Sequence, residues 1–497
     1  MNNIRRFPLS QIGLLLIALL LNSGMAKASG KALPNIILIF VDDMGYADIG
    51  PFGARDYPTP NLDELAQTGR CFTDFHVSAP VCSASRSALL TGVLNTRLGI
   101  TGAYSPKAEV GLNPNEMTLA ELVKQKGYAT AAFGKWHLGH HPKFLPTNQG
   151  FDKYEGIPYS NDMWPQHPKY AHLPPNDPGR FKVYKPLPFV RDEEVINPDM
   201  QPADQALLTR RATESALSFI NQNHNQPFFL YMPYSMVHVP IFASDRFLGK
   251  SGAGLFGDVV MELDWSIGEI IKTVDRHNIR ENTLVIFTTD NGPWLSYGDH
   301  AGSAGIYRGQ KHTSFDGGTR VPTIMNWPGR IPANTYCDLL ASTIDIFPTI
   351  AKLINGKRPV HKIDGMDIRD LMFEQSNIQS PHDFFPQYGK SELQAIRSEH
   401  WKLVFPHRSS TLNGKPGGTN GFPVDYDNFT TELALYDLDN DPGETIDVKD
   451  QYPEIFKQLS VAADKYREDL GDKLTKTMGK NIRQPGSLSD NDKRLIW

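Results

Sequence analysis

The sequence predicts an α/β fold: a large mixed, mostly parallel sheet sandwiched by helices, followed by a smaller C-terminal α+β domain with an antiparallel sheet. Three observations carry this. Short continuous runs of apolar and β-branched residues, too short for helices, end abruptly in polar residues, as strands covered on both faces do. Strand-like and helix-like segments alternate up to about residue 380. Beyond it, hairpin-like pairs replace the alternation. These signals place a main domain at residues 29–380 and a C-terminal subdomain at 381–497, after a signal peptide at 1–28.

The first of the apolar runs, residues 36–41, stops at Asp42-Asp43-Met44-Gly45, and a matching run at 284–289 stops at Asp290-Asn291-Gly292. Residues 128–133 lead into Gly134-Lys135-Trp136-His137, and 228–232 precede Ser235 and His238. Helices are expected over 61–69, from a capping box at Thr118 and Glu121 to about Gly127, and over 204–221. Val260, Leu263, Ile267, Ile270 and Val274 step by three and four, the signature of a packed amphipathic helix. Residues 161–200 show no period and read as a long ordered loop. In the C-terminal part, 393–397 and 401–405 form a hairpin pattern and 433–438 a further strand. A Gly/Asn-rich loop spans 409–428, and 453–470 reads as a helix.

The 497 residues, 40% hydrophobic and 21% charged, have an ordinary globular composition with room for two domains. A net charge of −5 provides no overall basic field, so nucleic acid is not an expected partner. Arg5 and Arg6 precede an apolar stretch at residues 12–21, and Ala26-Lys27-Ala28 forms an A-x-A cleavage site. The stretch is too short to span a bilayer, no later run reaches the ~20 apolar residues a span needs, and no membrane anchor is expected. The mature chain is expected to begin near Ser29 and to be exported to the periplasm. Cys71, Cys82 and Cys337 are an odd number for an exported protein, so at least one thiol is unpaired or chemically altered. Cys71 and Cys337 read as buried structural residues rather than a bridge. Nothing in the sequence sets an oligomeric state.

Cys82-Ser83-Ala84-Ser85-Arg86 follows the turn-like Ser78-Ala79-Pro80 and opens an apolar, helix-compatible run. A helix start offers unpaired N–H groups and a positive dipole end, and Arg86 adds a cation one turn later. Alone, such a cysteine is an ordinary buried residue, Asp-Asp an ordinary solvated turn, and Asn-Gly a favoured turn pair. Together, the two acidic strand ends can build an oxygen cage for a hard divalent cation.

In this order the motifs resemble those of type I, formylglycine-dependent sulfatases of the alkaline phosphatase superfamily. The likeness runs from about Pro34 to the C-terminal region. Its residues are Val41 to Gly45, Cys82 to Arg86, Gly134 to His137, Gly156-Ile157-Pro158-Tyr159-Ser160, His238, Asp290 to Gly292, Lys311, and Phe315-Asp316-Gly317-Gly318-Thr319-Arg320. The resemblance implies an alkaline phosphatase-like fold in which residues 29–380 are the catalytic domain. It implies that a maturation enzyme oxidises Cys82 to formylglycine, whose hydrate is the nucleophile; Ala84 stands where the commoner motif has Pro. It implies Ca²⁺ at Asp42, Asp43, Asp290, Asn291 and the modified Cys82, and sulfate binding by Arg86, Lys135 and Lys311. His137 would take a proton from the second hydroxyl, and His238 or Lys311 would serve the leaving oxygen. Ser160 falls on a position that touches the sulfate in some relatives.

The expected substrate is a sulfated saccharide, an algal galactan such as carrageenan being favoured. Trp164, Trp294, His300, His407 and Arg408, with His167 and Tyr297, supply the aromatic and basic loop residues that suit it. A phosphonate or phosphodiester hydrolase of the same superfamily, or a non-catalytic binder of sulfated glycans, is the alternative.

Overall fold

Strand β1 (Asn35–Val41) is buried along its whole length and forms the middle of a 10-stranded sheet. The computed structural model describes residues 33–497 except 171, 175 and 176. The expected signal peptide lies outside the described residues. The other strands of this sheet are β2 (Arg70–Phe72), β3 (Ala129–Phe133), β4 (Lys153–Gly156), β5 (Phe189–Arg191), β6 (Glu194–Asn197), β7 (Phe228–Pro233), β8 (Thr283–Thr289), β9 (Thr323–Asn326) and β10 (Thr335–Cys337). They lie in the order β10-β2-β9-β8-β1-β7-β3-β4-β5-β6.

The central block β8-β1-β7-β3-β4 is parallel throughout, while β9 on one flank and β5 on the other run antiparallel to it. Register fixes what this achieves. Val41 pairs with Thr289, Phe40 with Pro233, and Phe133 with Glu155, so the segments after β1, β8, β7, β3 and β4 all leave at one edge. In open parallel sheets, the crevice beyond the carboxyl ends of the strands receives the ligand.

Helices α1 (Pro60–Gln67), α2 (Cys82–Thr91), α3 (Leu119–Lys124), α4 (Leu208–Asn223) and α5 (Gly254–Arg276) accompany the sheet. Thr118 and Glu121 make both bonds of the capping box that opens α3. On α5, Val260, Leu263, Ile267, Ile270 and Val274 are all buried, as their spacing requires. The expected helix over 204–221 is divided: a short turn, Pro202–Gln205, precedes α4.

Residues 161–200 are not the continuous loop their composition implies. They hold a short helix, Pro178–Val183, and the β5–β6 hairpin that extends the sheet edge. An edge pairing needs no apolar period, which is why none is visible.

The C-terminal sheet has strands β11 (Phe385–Gly389), β12 (Glu392–Arg397), β13 (Trp401–Val404) and β14 (Ala434–Asp437), all antiparallel. Helix α6 (Pro453–Leu470) packs on it through Leu459, Ala462, Ala463 and Leu470, in an apolar cluster that also contains Ala88 of α2 and Ile344. The Gly/Asn-rich loop is narrower than expected, because Arg408–Thr411 pairs with Asp427–Thr430. Cys71 and Cys337 are buried free thiols on neighbouring strands. Cys71 pairs with Tyr336, so the pleat sends the two sulfurs to opposite faces of the sheet and they do not bridge.

Candidate active site

Extended backbone at Val81 (φ −158) turns into α2, and Cys82 is its first residue. Every residue of this helix is buried. The sulfur lies 3.5 Å from Asp42 Oδ1 and 3.5 Å from Lys311 Nζ. Burial, reinforced by the negative charge of Asp42, pushes the Cys82 thiol up, beyond the partial relief given by Lys135 and Lys311. It therefore stays neutral and is a poor nucleophile in its own right.

Around it stand three buried carboxylates and three buried cations. Lys135 donates to Asp42 and, at 3.1 Å, to Ser160 Oγ. Lys311 bonds both oxygens of Asp43, at 2.6 and 2.8 Å. Arg86 grips Asp290 Oδ2 through Nε (3.0 Å) and Nη2 (2.8 Å), and its Nη1 donates to the Lys135 carbonyl (2.9 Å). Burial opposes ionisation of Asp42, but Lys135, His238, Arg86 and Lys311 outweigh it and hold the carboxyl well below the usual range. Asp290 goes the other way: burial and the charge of Asp42 push it up.

Asn291 donates through Nδ2 to Asp43 Oδ1 (2.8 Å) and to the Gly292 carbonyl (2.9 Å), which leaves its Oδ1 buried without a partner. Ligand atoms of Asp42, Asp43, Cys82 and His238 lie within 4.8 Å of one another. Carboxylate and amide oxygens, one of them unsatisfied, fit a hard divalent cation such as Ca²⁺.

The two histidines carry defined tautomers. His137 Nε2 lies 2.9 Å from the Tyr104 carbonyl, which only accepts, so the proton is on Nε2 and the buried Nδ1 keeps a free lone pair. Burial and the charge of Lys135 hold His137 well below the ordinary histidine range, so the ring is neutral. His238 donates from Nδ1 to the Val239 carbonyl (2.6 Å), with Nε2 3.5 Å from both Asp43 Oδ2 and Ser160 Oγ. Burial lowers its pKa as well.

Cys82, Arg86, Lys135, Ser160, His238, Lys311, Asp42, Asp43, Asp290 and Asn291 are thus gathered at the carboxyl edge of the sheet. Of the loop residues, Trp294 joins them, with Lys311 Nζ 4.6 Å above its ring and His238 5.6 Å away. Trp164 does not face the cluster: it is 1% exposed in the main core and its indole N–H donates to the Met200 carbonyl (3.1 Å). His300 ends the turn Leu295–His300 with Nδ1 buried and unpartnered. His407 is buried against the Phe405 carbonyl (2.7 Å) and Thr431, and Arg408 is exposed at the start of its strand. Sequence reasoning passed over Asp162 and Tyr104, which have no motif or period, and gave no role to Ser83 although it lies within the Cys82 to Arg86 motif; Asp162, two residues after Ser160, had only its proximity to recommend it.

Buried cations and an oxygen cage meeting at a helix N-terminus form a site suited to binding an anionic ester. The Sulfatase family model matches residues 34–356, and the C-terminal region of aryl-sulfatase matches 380–489. The chain is 35% identical to mouse (Mus musculus) arylsulfatase G over 471 residues, covering 88% of each. It is 36% identical to human (Homo sapiens) arylsulfatase A over 458 residues, again 88% of each. Among solved structures, PsFucS1 sulfatase from Pseudoalteromonas sp. superposes with a TM-score of 0.81 at 25% identity over 97% of both chains. Ps i-CgsB in complex with k-i-k-neocarrahexaose does so with a TM-score of 0.72 at 26% identity, over 92% of this chain and 95% of that one. The chain belongs to the sulfatase family, as a type I member of the alkaline phosphatase superfamily, and is a sulfuric ester hydrolase.

Proposed function

We propose that this enzyme removes sulfate from a saccharide, with Cys82 converted to formylglycine by a maturation enzyme and Ca²⁺ held by Asp42, Asp43, Asp290 and Asn291. The observation that carries this is the setting of Cys82: a thiol driven neutral, yet placed 3.5 Å from both an acidic cage residue and Lys311. When present, the formylglycine hydrate supplies a hydroxyl nucleophile and Ca²⁺ supplies a Lewis acid for a sulfate oxygen.

The chain's own residues do the rest. Arg86, Lys135 and Lys311 bind the sulfate and stabilise the charge that spreads over its oxygens. Asp290, pushed up by burial and by Asp42, takes the proton of the attacking hydroxyl. His137, neutral and with Nδ1 free, takes the second proton. His238 and Lys311, both against Asp43, face the leaving oxygen.

A saccharide is favoured because Ps i-CgsB, 26% identical to this chain, holds k-i-k-neocarrahexaose, and a carrageenan-type galactan is the first substrate to try. Trp294, Ser160 and His300 are the expected contacts, with export to the periplasm placing the enzyme where such polymers arrive. No helix among the described residues is long and apolar enough to cross a membrane.

Two measurements on protein from the native host test this reading. The peptide bearing Cys82 should weigh roughly 18 Da less than its sequence mass. Sulfate should be released from sulfated oligosaccharides far faster than a phosphodiester is cleaved. An unmodified peptide from active enzyme, or a preference for the phosphodiester, would refute it.

A further inference from the structure

We infer that Asp162 and His167 form a hydroxyl-reading subsite beside the sulfate pocket, one that takes a saccharide with a free, uncharged hydroxyl next to its sulfate ester. This rests on the sulfatase reading above and adds to it a determinant of substrate class.

Asp162 sits in the turn that follows Ser160, closed by the Met163 N–H to the Ser160 carbonyl (3.1 Å). Asn161 ties this turn to the His238 segment, donating through Nδ2 to the carbonyls of His238 (3.4 Å) and Pro240 (3.0 Å). Asp162 therefore moves with the groups that face the leaving oxygen. Its Oδ1 is buried and has no hydrogen-bond partner. Burial works against its charge, but His238, a hydrogen bond from Ser160, Lys135 and Lys311 hold the carboxyl down to about 2, so it is an anion at any working pH.

His167 is the complementary half. It is 1% exposed, and its Nδ1 accepts the Lys169 N–H (3.1 Å). The proton must then be on Nε2, and that buried N–H has no partner either. Its ring packs on Tyr297 (6.3 Å), Tyr297 on Trp294 (5.0 Å), and Trp294 on His238 (5.6 Å), so an aromatic wall joins this N–H to the catalytic histidine.

An acceptor and a donor, each buried and unpaired, cost folding free energy, and they do not satisfy one another. A sugar hydroxyl donates and accepts at once. One can donate to Asp162 Oδ1 while a neighbouring sugar oxygen accepts from His167 Nε2. The fixed negative charge of Asp162 rejects a second sulfate or a uronate at the same place.

The test uses formylglycine-bearing enzyme and two substrates: a sulfated monosaccharide with a free hydroxyl beside the ester, and 4-nitrophenyl sulfate, which has none. In Asp162→Asn, the ratio of kcat/KM for the saccharide over that for the aryl ester should fall about 10-fold or more, chiefly through KM, as expected for a lost charge-assisted hydrogen bond. Asp162→Glu should recover part of the ratio. On wild-type enzyme, the deoxy saccharide lacking that hydroxyl should lose a similar factor, and Asp162→Asn should discriminate less between the two sugars. Parallel losses on both esters, or an indifferent wild type toward the deoxy sugar, would overturn the subsite. Wild-type enzyme releasing sulfate from neither ester would overturn the sulfatase reading beneath it, and the subsite with it.

Discussion

Asn291 holds one amide oxygen in the protein interior with nothing to accept, while its nitrogen is committed to Asp43 and Gly292. An unsatisfied buried carbonyl costs about 1–3 kcal/mol, a cost that a bound cation removes. Asn291→Ala keeps the backbone turn but deletes both the oxygen and the clamp on Asp43. We expect calorimetric Ca²⁺ binding to the chelator-stripped protein to weaken by about 10-fold or more, the usual order for a lost or misplaced metal-site group. Because a ligand that binds only the folded state stabilises it, chelation should lower the unfolding midpoint of the wild type more than that of the variant. Equal Ca²⁺ affinities would remove Asn291 from the site.

At the scale of elements, α2 positions more than the residue at its start. Ser83 Oγ accepts the Tyr104 N–H (3.0 Å), and the Tyr104 carbonyl accepts the His137 Nε2–H (2.9 Å). The helix that carries Cys82 thus also sets which nitrogen of His137 is free. Ser83→Ala leaves a backbone N–H unpaired at a cost of about 1 kcal/mol. It should lower kcat several-fold with little change in KM, and an unaltered kcat would show that His137 keeps its tautomer without this relay. Such links were out of reach of the sequence, since Tyr104 acts through its backbone. What could be read were elements whose surroundings leave a mark. Strands β1 and β8 are buried at every position, so residues 36–41 and 284–287 within them are unbroken apolar runs, and the polar residues that follow marked the crevice. Strands β4 and β9, only four residues each and containing Glu155 and Asn326, bear no such mark. Trp164 misled for a related reason: an aromatic in a Pro-rich loop has the same composition whether it lines a pocket or fills a core.

Across the whole molecule, the C-terminal sheet braces the candidate metal-binding turn at 290–292 through buried charge. Arg397 on β12 bonds Asp74 through Nη2 (2.6 and 2.7 Å) and Asp316 through Nη1 (2.7 Å), while Lys402 on β13 reaches Asp316 (2.9 Å). Asp316 opens the turn whose Gly318 carbonyl accepts the Gly292 N–H (3.0 Å), next to Asn291. Burial opposes both carboxylates, yet Arg320, Arg397 and His76 hold Asp74 below the usual range, and Arg397, Lys402, His76 and Arg320 do the same for Asp316. Arg397→Met keeps the side-chain volume but removes one cationic partner from each of two buried acids, Asp74 keeping Arg320 and Asp316 keeping Lys402, which costs about 3 kcal/mol at pH 7, the order found when one partner of a buried ion pair is removed. The pH dependence has a definite sign. Carboxyls depressed in the folded state stabilise it above their unfolded value of about 3.9, and this contribution is lost as pH falls toward their folded values. The wild type should therefore exceed Arg397→Met in unfolding free energy across pH 5 to 8, and the gap should narrow below about pH 4. Urea unfolding of both proteins at pH 7 and pH 3 measures it. A gap unchanged at pH 3 would mean that packing, not charge, joins the C-terminal sheet to the turn at 290–292.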